Sequence, residues 1–342
     1  MKKTVIIFFC CLMAAMGASA QDLPTTVLKS SKGTNVFYGE YSFVEAINTI
    51  KSSTKDETQC SIVLSSGAFI APDTIDVTNA PNIVIRGAGM EGAAVTIVKG
   101  RTGSEKTFLK AYKPITIEGV DFKCTFEYDP QPNKQYVRCK FSVFGGSSNG
   151  TDYSWTSGTT FINCRIDEMS CCYNSIWRAY NSIIGDWGNG GNETFEIYNC
   201  VLLDFYDPNS GIINNCILHN NVSGPSSFYE GTFYKNCIYI ANNSSSAFEG
   251  QESTTNRQLP LDSISTVFKT YTGTYTAEET FELADEAKAK YLGTDGKQVG
   301  IYGGDYPYDS SVSYPHITKK TVAARTENGK LKVNVEIGVG NK

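Results

Sequence analysis

A four-residue pattern recurs through the middle of the chain and constrains its fold more than any other feature. Asparagine is followed by cysteine, a variable residue and a large apolar residue, as in Asn-Cys-Val-Leu at 199–202. Further copies begin at Asn163, Asn215 and Asn236, and Asn181 begins a copy with serine in place of cysteine. Asparagine accepts left-handed backbone dihedrals, so each copy indicates a bend, then a small buried residue, then a core residue.

The spacing of the copies predicts a solenoid. With glycine or arginine allowed at the bend, the bends lie at positions 119, 138, 163, 181, 199, 215 and 236, which are 16 to 25 residues apart. A period of about 20 residues is typical of stacked repeats. The long amphipathic helices of helical repeats and the L-x-x-L-x-L pattern of leucine-rich repeats are absent from the sequence. Each repeat is therefore predicted to be one β coil, about 4.8 Å from the next.

The first twenty residues are predicted to be a secretory signal peptide. Lys2 and Lys3 precede an apolar run at 5–16 and an Ala-Ser-Ala site at 18–20. We therefore expect an exported protein, in the periplasm, on the outer cell surface or secreted, and no transmembrane segment in the mature chain. The net charge of −5 argues against nucleic acid as a partner, because nucleic acid selects basic patches.

Two further elements bracket the predicted solenoid domain, which spans 21–310. Ser42 and Glu45 have the spacing of a capping box, and the apolar residues after Ser42 follow helical spacing, so a helix at 42–51 is expected to close one end of the core. Residues 311–342 contain two alternating segments around Asn328-Gly329, a hairpin signal. This C-terminal strand pair or tail either packs on the last coil or attaches the protein to a partner.

Cysteine use indicates structural thiols. Nine of the eleven cysteines follow residue 20, no pair has C-x-x-C spacing, and most occupy the same place in a repeat. Small buried thiols in a core explain this pattern, and ligand spacings with histidine are absent. No cofactor is predicted, although carboxylates near the strand ends leave calcium open as a ligand.

Together these features resemble the pectin-lyase-like superfamily. The signal peptide, the capping helix, the Ile-Thr-Ile-Glu-Gly-Val-Asp-Phe run at 115–122 and the Asn-Cys copies carry the resemblance. The segment at 291–304 is similar to the closing segment of secreted Bacteroidetes β-helix proteins. The resemblance implies an all-β fold, a right-handed parallel β-helix with an N-terminal capping helix and a C-terminal β-hairpin tail.

The same superfamily implies polysaccharide-cleaving enzymes, but their motifs are missing. The Gly-His-Gly and paired-Asp patterns of polygalacturonases and the Asp-His and Arg patterns of pectate lyases do not occur. A different candidate site comes from the repeat itself, where acidic residues and one histidine follow the bends at similar distances. These catalytic candidates, which could also bind calcium, are Asp167, Glu168, Asp186, Asp204 and His219. Acid–base cleavage of a glycosidic bond needs such carboxylates, although strand ends also favour aspartate as a turn former.

Aromatic residues in and beside the longer insertions suggest sugar binding. Trp155, Trp177 and Trp187 could stack on sugar rings, with Arg178 pairing with an acidic sugar, unless the rings simply cover the solenoid. We expect a non-catalytic exported protein that contacts a polysaccharide or surface glycan. The alternatives are a polysaccharide lyase or glycoside hydrolase that uses the acidic edge, and a structural or assembly protein.

Overall fold

The computed structural model shows a parallel β-solenoid of about seven turns. This confirms the all-β fold predicted from the repeat. The signal peptide predicted at 1–20 lies outside the described residues. The described residues are 23–92, 94–102, 105–128, 133–145, 158–170, 176–187, 194–204, 210–220, 231–242, 248, 255–276, 278–312, 316–322 and 333–338.

Two long sheets form the walls of the solenoid. Sheet A contains, in spatial order, β2 (Gly33–Tyr38), β1 (Thr25–Ser30), β3 (Cys60–Leu64), β6 (Ile83–Arg86), β9 (Ile115–Glu118), β11 (Lys134–Val137), β13 (Gly158–Ile162), β15 (Ile176–Tyr180), β17 (Thr194–Tyr198), β19 (Ser210–Asn214) and β21 (Thr232–Lys235). β1 pairs antiparallel with β2 and β3, and the pairs after β3 are parallel. Sheet A thus begins with a hairpin and continues as stacked coils.

Sheet B runs beside sheet A around the same core. Its main path contains β23 (Arg257–Leu259), β22 (Ile238–Ile240), β20 (Ile217–His219), β18 (Val201–Leu203), β16 (Ile183–Trp187), β14 (Arg165–Ser170), β12 (Lys140–Gly145), β10 (Asp121–Tyr128), β7 (Thr96–Lys99) and β4 (Gly67–Ile70). Two further strands, β5 (Thr74–Asp76) and β8 (Lys106–Lys110), pair with each other, and β8 also pairs with β10.

All seven predicted bends join a strand of sheet A to the next strand of sheet B. Each has a positive φ, which favours glycine or asparagine over residues with a larger branched side chain. The φ values are 70° at Gly119, 50° at Arg138, 53° at Asn163, 47° at Asn181, 53° at Asn199, 57° at Asn215 and 52° at Asn236. The recurring asparagine is therefore explained by backbone conformation.

Asn199 provides a clean test of this explanation, because the described structure gives its buried side-chain oxygen no hydrogen-bond partner. We expect Asn199→Ala to lower the free energy of unfolding by about 1–2 kcal/mol, the cost that the left-handed conformation carries for residues other than glycine, asparagine and aspartate. Asn199→Gly should lose less, since glycine adopts this φ without that penalty. Urea unfolding of both variants measures the difference, and an equal loss for both would contradict the explanation.

The residues after the bends form a column of buried thiols. The backbone N–H of Cys200 donates to the sulfur of Cys216 at 3.3 Å, and the N–H of Cys164 donates to the hydroxyl of Ser182 at 3.0 Å. All seven described cysteines are free and buried, as predicted; Cys171 and its neighbour at 172 lie outside the described residues. Burial raises the pKa of Cys164 to about 12, so this thiol stays protonated and unreactive.

Large aromatic rings fill the middle coils. Phe122 stacks on Phe141 with ring centroids 5.2 Å apart, and Phe161 stacks on Trp177 at 5.8 Å. Phe141 also contacts Tyr136 edge to face at 5.2 Å. Rings on adjacent coils thus contact each other along the solenoid axis, and this region holds the bulkiest part of the core.

The helix that closes the N-terminal end begins differently from the prediction. Helix α1 (Ser42–Ser52) buries Phe43 and the other apolar residues of its inner face, as expected. However, Tyr41 precedes the helix, and no side chain caps its start. The predicted capping box is wrong because the hydroxyl of Ser42 is buried against the hydroxyl of Thr26, 2.9 Å away. A tertiary contact thus uses the group that would otherwise cap the helix.

A C-terminal segment, residues 260–312, covers part of the outer face of sheet B. It contains a 3₁₀ turn (Leu261–Ser263) and the short helices α2 (Ile264–Val267) and α3 (Asp285–Lys290). Its apolar side chains form a second core with outward-facing residues of sheet B. Beyond it, β24 (His316–Val322) pairs antiparallel with β25 (Val333–Gly338), which confirms the predicted strand pair. The predicted turn at Asn328-Gly329 lies outside the described residues.

The asparagine bends also hold the C-terminal segment. Asn181 Nδ2 donates to the carbonyl oxygens of Ile301 and Gly303, at 2.9 and 2.8 Å. Asn215 Oδ1 accepts from the backbone N–H of Thr294 at 3.0 Å. The same residue type therefore bends the coil and attaches the segment that closes sheet B.

Candidate functional site

The five predicted acid–base residues do not share one open groove. Glu168 and Asp186 are aligned on adjacent strands, and both are exposed. Asp204 is exposed just after β18, where its N–H donates to the carbonyl of His219 at 2.8 Å. Asp167 belongs to a different row, on the face that the C-terminal segment covers.

Two tyrosines of the C-terminal segment cover the other predicted members. The hydroxyl of Tyr275 donates to Asp167 Oδ1 at 2.5 Å, and the hydroxyl of Tyr271 lies 2.9 Å from Nδ1 of His219. His219 is completely buried. Asp167 and His219 are thus covered while Glu168, Asp186 and Asp204 are exposed, so the five residues do not form one accessible acid–base site.

The burial of His219 predicts an acid-sensitive fold. Burial lowers the pKa of His219 from its ordinary value of 6.5, and the smaller effect of nearby Asp204 opposes this. The unfolded chain therefore binds the proton more readily than the folded chain. Stability from this group is full above about pH 6.5 and is lost as the pH falls toward the lower folded pKa.

Urea unfolding at a series of pH values between 8 and 5 measures this loss, which is about 1.4 kcal/mol for each tenfold difference in proton affinity between the unfolded and folded chains. His219→Leu combined with Tyr271→Phe should flatten the curve in this range, because the buried titrating group is removed. Leucine suits this position, since the aligned residues Leu203 and Ile240 are already apolar. His316→Leu is the control, since the chain has only two histidines. An unchanged curve in the double variant would contradict the prediction.

The predicted ring-stacking residues are also separated. Trp177 is a core residue whose ring stacks on Phe161, so it has no face open to a ligand. Arg178 lies on the outer face of sheet A, with Nε 2.8 Å from a carboxylate oxygen of Glu196. Trp155 and the side chain of Trp187 lie outside the described residues.

A cleft of about 610 Å³ lies on the outer face of sheet B, next to the area that the C-terminal segment covers. Its floor is a row of aligned residues on four neighbouring strands: Ile97, Asp121, Lys140 and Arg165. Adjacent members are about one strand spacing, 4.8 Å, apart. The facing wall comes from a loop after β6 and from the C-terminal segment, and it includes Glu91, Glu279, Tyr302, Tyr308 and Asp309.

Sequence reasoning passed over this row because it occupies the variable position of the repeat. After Arg165 the same row continues as Ile183, Val201, Ile217 and Ile238. These four side chains belong to the core beneath the C-terminal segment. The change from charged to apolar residues at one repeat position is a sequence signal for where the cover ends and the cleft begins.

Arg165 connects the three parts of the cleft. Its side chain is only 3% exposed, with Nε 3.3 Å from Glu91 Oε1. Nη2 donates to the carbonyl oxygen of Glu279 at 2.5 Å. The hydroxyl of Tyr308 donates to the same Glu91 carboxylate at 3.5 Å, and burial together with Glu91 raises the pKa of Tyr308. Arg165 therefore joins sheet B to the loop and to the C-terminal segment.

Asp121 differs from Arg165 in its bonding. Asp121 and its neighbour Lys140 are 4% and 7% exposed. Asp121 Oδ2 lies 3.3 Å from Nζ of Lys123, but Oδ1 is buried and accepts no hydrogen bond from the described residues. Burial raises the pKa of Asp121, although Lys123 and Lys140 act in the opposite direction. A buried acceptor without a donor costs about 1–3 kcal/mol, so a hydrogen-bond donor that reached Oδ1 would stabilise this side chain.

Within the described ranges, no group of three or more His, Cys, Asp or Glu side chains is arranged to hold a metal ion. Of the helices in those ranges, none combines the length and the apolar character needed to cross a membrane. Comparison of the chain with protein-family models, with curated proteins and with solved structures found no match.

Proposed function

We propose that this chain is an exported protein of the pectin-lyase-like, Bacteroidetes type that binds a polysaccharide or surface glycan in the cleft without cleaving it. The observation that carries the proposal is Asp121, which lines the cleft and whose buried Oδ1 accepts no hydrogen bond from the described residues. A sugar hydroxyl is a donor that would satisfy this oxygen. The cleft is large enough for a few sugar units by the usual size of ligand pockets, roughly 300–1,000 Å³.

The other groups in the cleft suit a neutral, hydroxyl-rich ligand. Five acidic and two basic residues line it, so acceptors of hydroxyl hydrogens outnumber cations. Tyr302 and Tyr308 are half-buried in its wall and supply rings with one apolar face and one polar end. This balance favours neutral sugars over acidic ones.

Binding without cleavage is supported by the contacts of Arg165, the more buried of the two cations in the cleft. The guanidinium of Arg165 already contacts Glu91 and the carbonyl of Glu279. It therefore stabilises the protein and is not free to act as a base or to bind a carboxylate of the ligand. The absence of the enzyme motifs of the superfamily from the sequence agrees with this proposal.

One observation favours cleavage as the second candidate. The raised pKa of Asp121 suits a carboxyl group that transfers protons closer to neutral pH, and Lys140 is its aligned neighbour. If Asp121 acts in this way, incubation with a polysaccharide produces new reducing ends or unsaturated sugars. These products would replace the binding proposal by an enzymatic one.

The experiment is a binding screen of the full chain against neutral and acidic plant and host polysaccharides, by gel retardation and then calorimetry. We expect retention by a neutral glycan, and a loss of affinity of at least about tenfold in Asp121→Ala, because a hydrogen bond to a charged group contributes about 1.5–3 kcal/mol. Asp186→Ala is the matched control, since this exposed aspartate lies outside the cleft and should bind like the parent protein.

Two outcomes would overturn the proposal. The first is the absence of retention by any glycan in the panel. The second is equal binding by Asp121→Ala and the parent protein, or a loss in Asp186→Ala instead, which would move the site from the cleft to the acidic edge predicted from the sequence. Circular dichroism of both variants checks that the fold is retained.

A further inference from the structure

Strand β2 is the free edge of sheet A at the N-terminal end of the solenoid. It pairs with β1, and no other described strand pairs with it. Its residues are exposed apart from half-buried Phe37, and Val36 and Tyr38 have exposed fractions of 45% and 66%. An exposed edge strand of this kind can pair with a strand of another chain.

The hydrogen bonds of the hairpin show which backbone groups of β2 are open. The N–H of Gly39 donates to the carbonyl of Pro24 at 2.7 Å, and the register with β1 is regular over all six residues of β2. In an antiparallel pair, alternate residues bond across the ladder. Gly33, Asn35 and Phe37 therefore bond to β1, and Thr34, Val36 and Tyr38 turn their N–H and C=O groups away from the sheet.

The features that usually protect such an edge are missing from β2. The strand Gly-Thr-Asn-Val-Phe-Tyr at 33–38 contains no charged residue and no proline, and its pairing with β1 shows no bulge. Charges, prolines and bulges are the devices by which edge strands avoid pairing. Helix α1 lies against β2 as well as against β4 and β5, but it leaves every residue of β2 except Phe37 exposed.

We propose that two copies of this chain pair antiparallel through β2, about a two-fold axis at Val36. This register places Val36 opposite its copy and Thr34 opposite Tyr38 of the second copy. These three residues are the ones whose backbone groups point outward, so all of their N–H and C=O groups find partners. Because alternate side chains share one face of a strand, the exposed side chains of Val36 and Tyr38 also meet on one face.

In a pair of copies, the register centred on Val36 fits this edge better than a shifted register does. Moving the axis by one residue, to Asn35 or Phe37, leaves one of the three outward residues without a partner within β2. A single added strand pair is a small interface, and small interfaces are weak and transient. We therefore expect a dimer that forms and dissociates with concentration.

Sedimentation equilibrium of the full chain, from micromolar to millimolar concentration, tests the proposal. We expect the parent protein to dimerise and Val36→Lys to raise the dissociation constant at least tenfold, because the substitution places two like charges opposite each other. Ile212→Lys is the matched control, an exposed apolar residue on the same sheet away from the edge. Its dissociation constant should equal that of the parent protein.

Disulfide cross-linking tests the register. In a variant with Cys171 and Cys172 replaced by serine, Val36→Cys should give a covalent dimer on oxidation, since paired Cα atoms about 5.5 Å apart suit a disulfide. Asn35→Cys should not, because its copy lies diagonally, about 7–8 Å away. A parent protein that stays monomeric throughout overturns the proposal, as does a dimer that Val36→Lys leaves intact. A cross-link through position 35 and not 36 overturns the register.

Discussion

Replacing Arg165 with methionine is expected to lower the free energy of unfolding by about 1.5–3 kcal/mol, because the buried guanidinium loses its hydrogen bond to the carbonyl of Glu279 and its contact with the partly exposed carboxylate of Glu91. Methionine keeps most of the apolar stem but leaves Glu91 without its cation. It also leaves the carbonyl oxygen of Glu279 without a donor. Since Arg165 joins sheet B to the C-terminal segment, the variant should also expose that segment to protease.

Urea unfolding and limited proteolysis measure these two effects. Arg178→Met is the matched control, because Arg178 forms the same type of ion pair with Glu196 on the surface, where both side chains are about one-third exposed. An exposed pair contributes only about 0–1 kcal/mol. Equal losses in the two variants would contradict the role of Arg165 in joining sheet B to the C-terminal segment.

Phe141→Ala is the second large expected effect, a loss of about 3–5 kcal/mol from transfer of the ring and from the cavity left behind. Phe141 is completely buried. It stacks on Phe122 at 5.2 Å and contacts Phe144 edge to face at 4.9 Å. Rings from neighbouring coils therefore lose a partner at the same time, and relaxation of one coil cannot fill the space.

Thermal and urea unfolding measure the loss, with Phe233→Ala as the control. Phe233 lies on the outer face of β21 and is exposed, and a surface substitution usually changes stability by no more than about 0.5 kcal/mol. A small effect of Phe141→Ala would mean that the aromatic rings of the middle coils are not a shared core.

Most of the fold was predictable because a solenoid repeats the same local problem in every coil. The asparagine of each repeat predicts a bend, and positive φ at Asn163 and Asn236 confirms the first and the last of these asparagine bends. The start of α1 was mispredicted because Ser42 bonds to Thr26, a residue sixteen positions away. Local patterns predict local structure, but they do not show which distant group claims a hydroxyl.

The candidate site was less predictable. The row that includes Asp121 and Lys140 falls at the repeat position that varies, so the repeat itself hides it. Part of its facing wall, including Tyr302 and Tyr308, comes from residues more than a hundred positions later in the chain. The predicted acidic residues and His219 do not form one open site, because the strand register alone does not show that Tyr271 and its neighbours cover some of them.

The amino-acid sequence by itself determined the coil period, the bends and the inward-facing residues, because these depend on backbone dihedrals and on the alternation of side chains along a strand. Only the tertiary structure decided which outward-facing residues are covered and which are open. That outcome depends on where the C-terminal segment lies across sheet B. Arg165 and the asparagines of the bends hold it there, and the cleft lies where its apolar contacts with the sheet end.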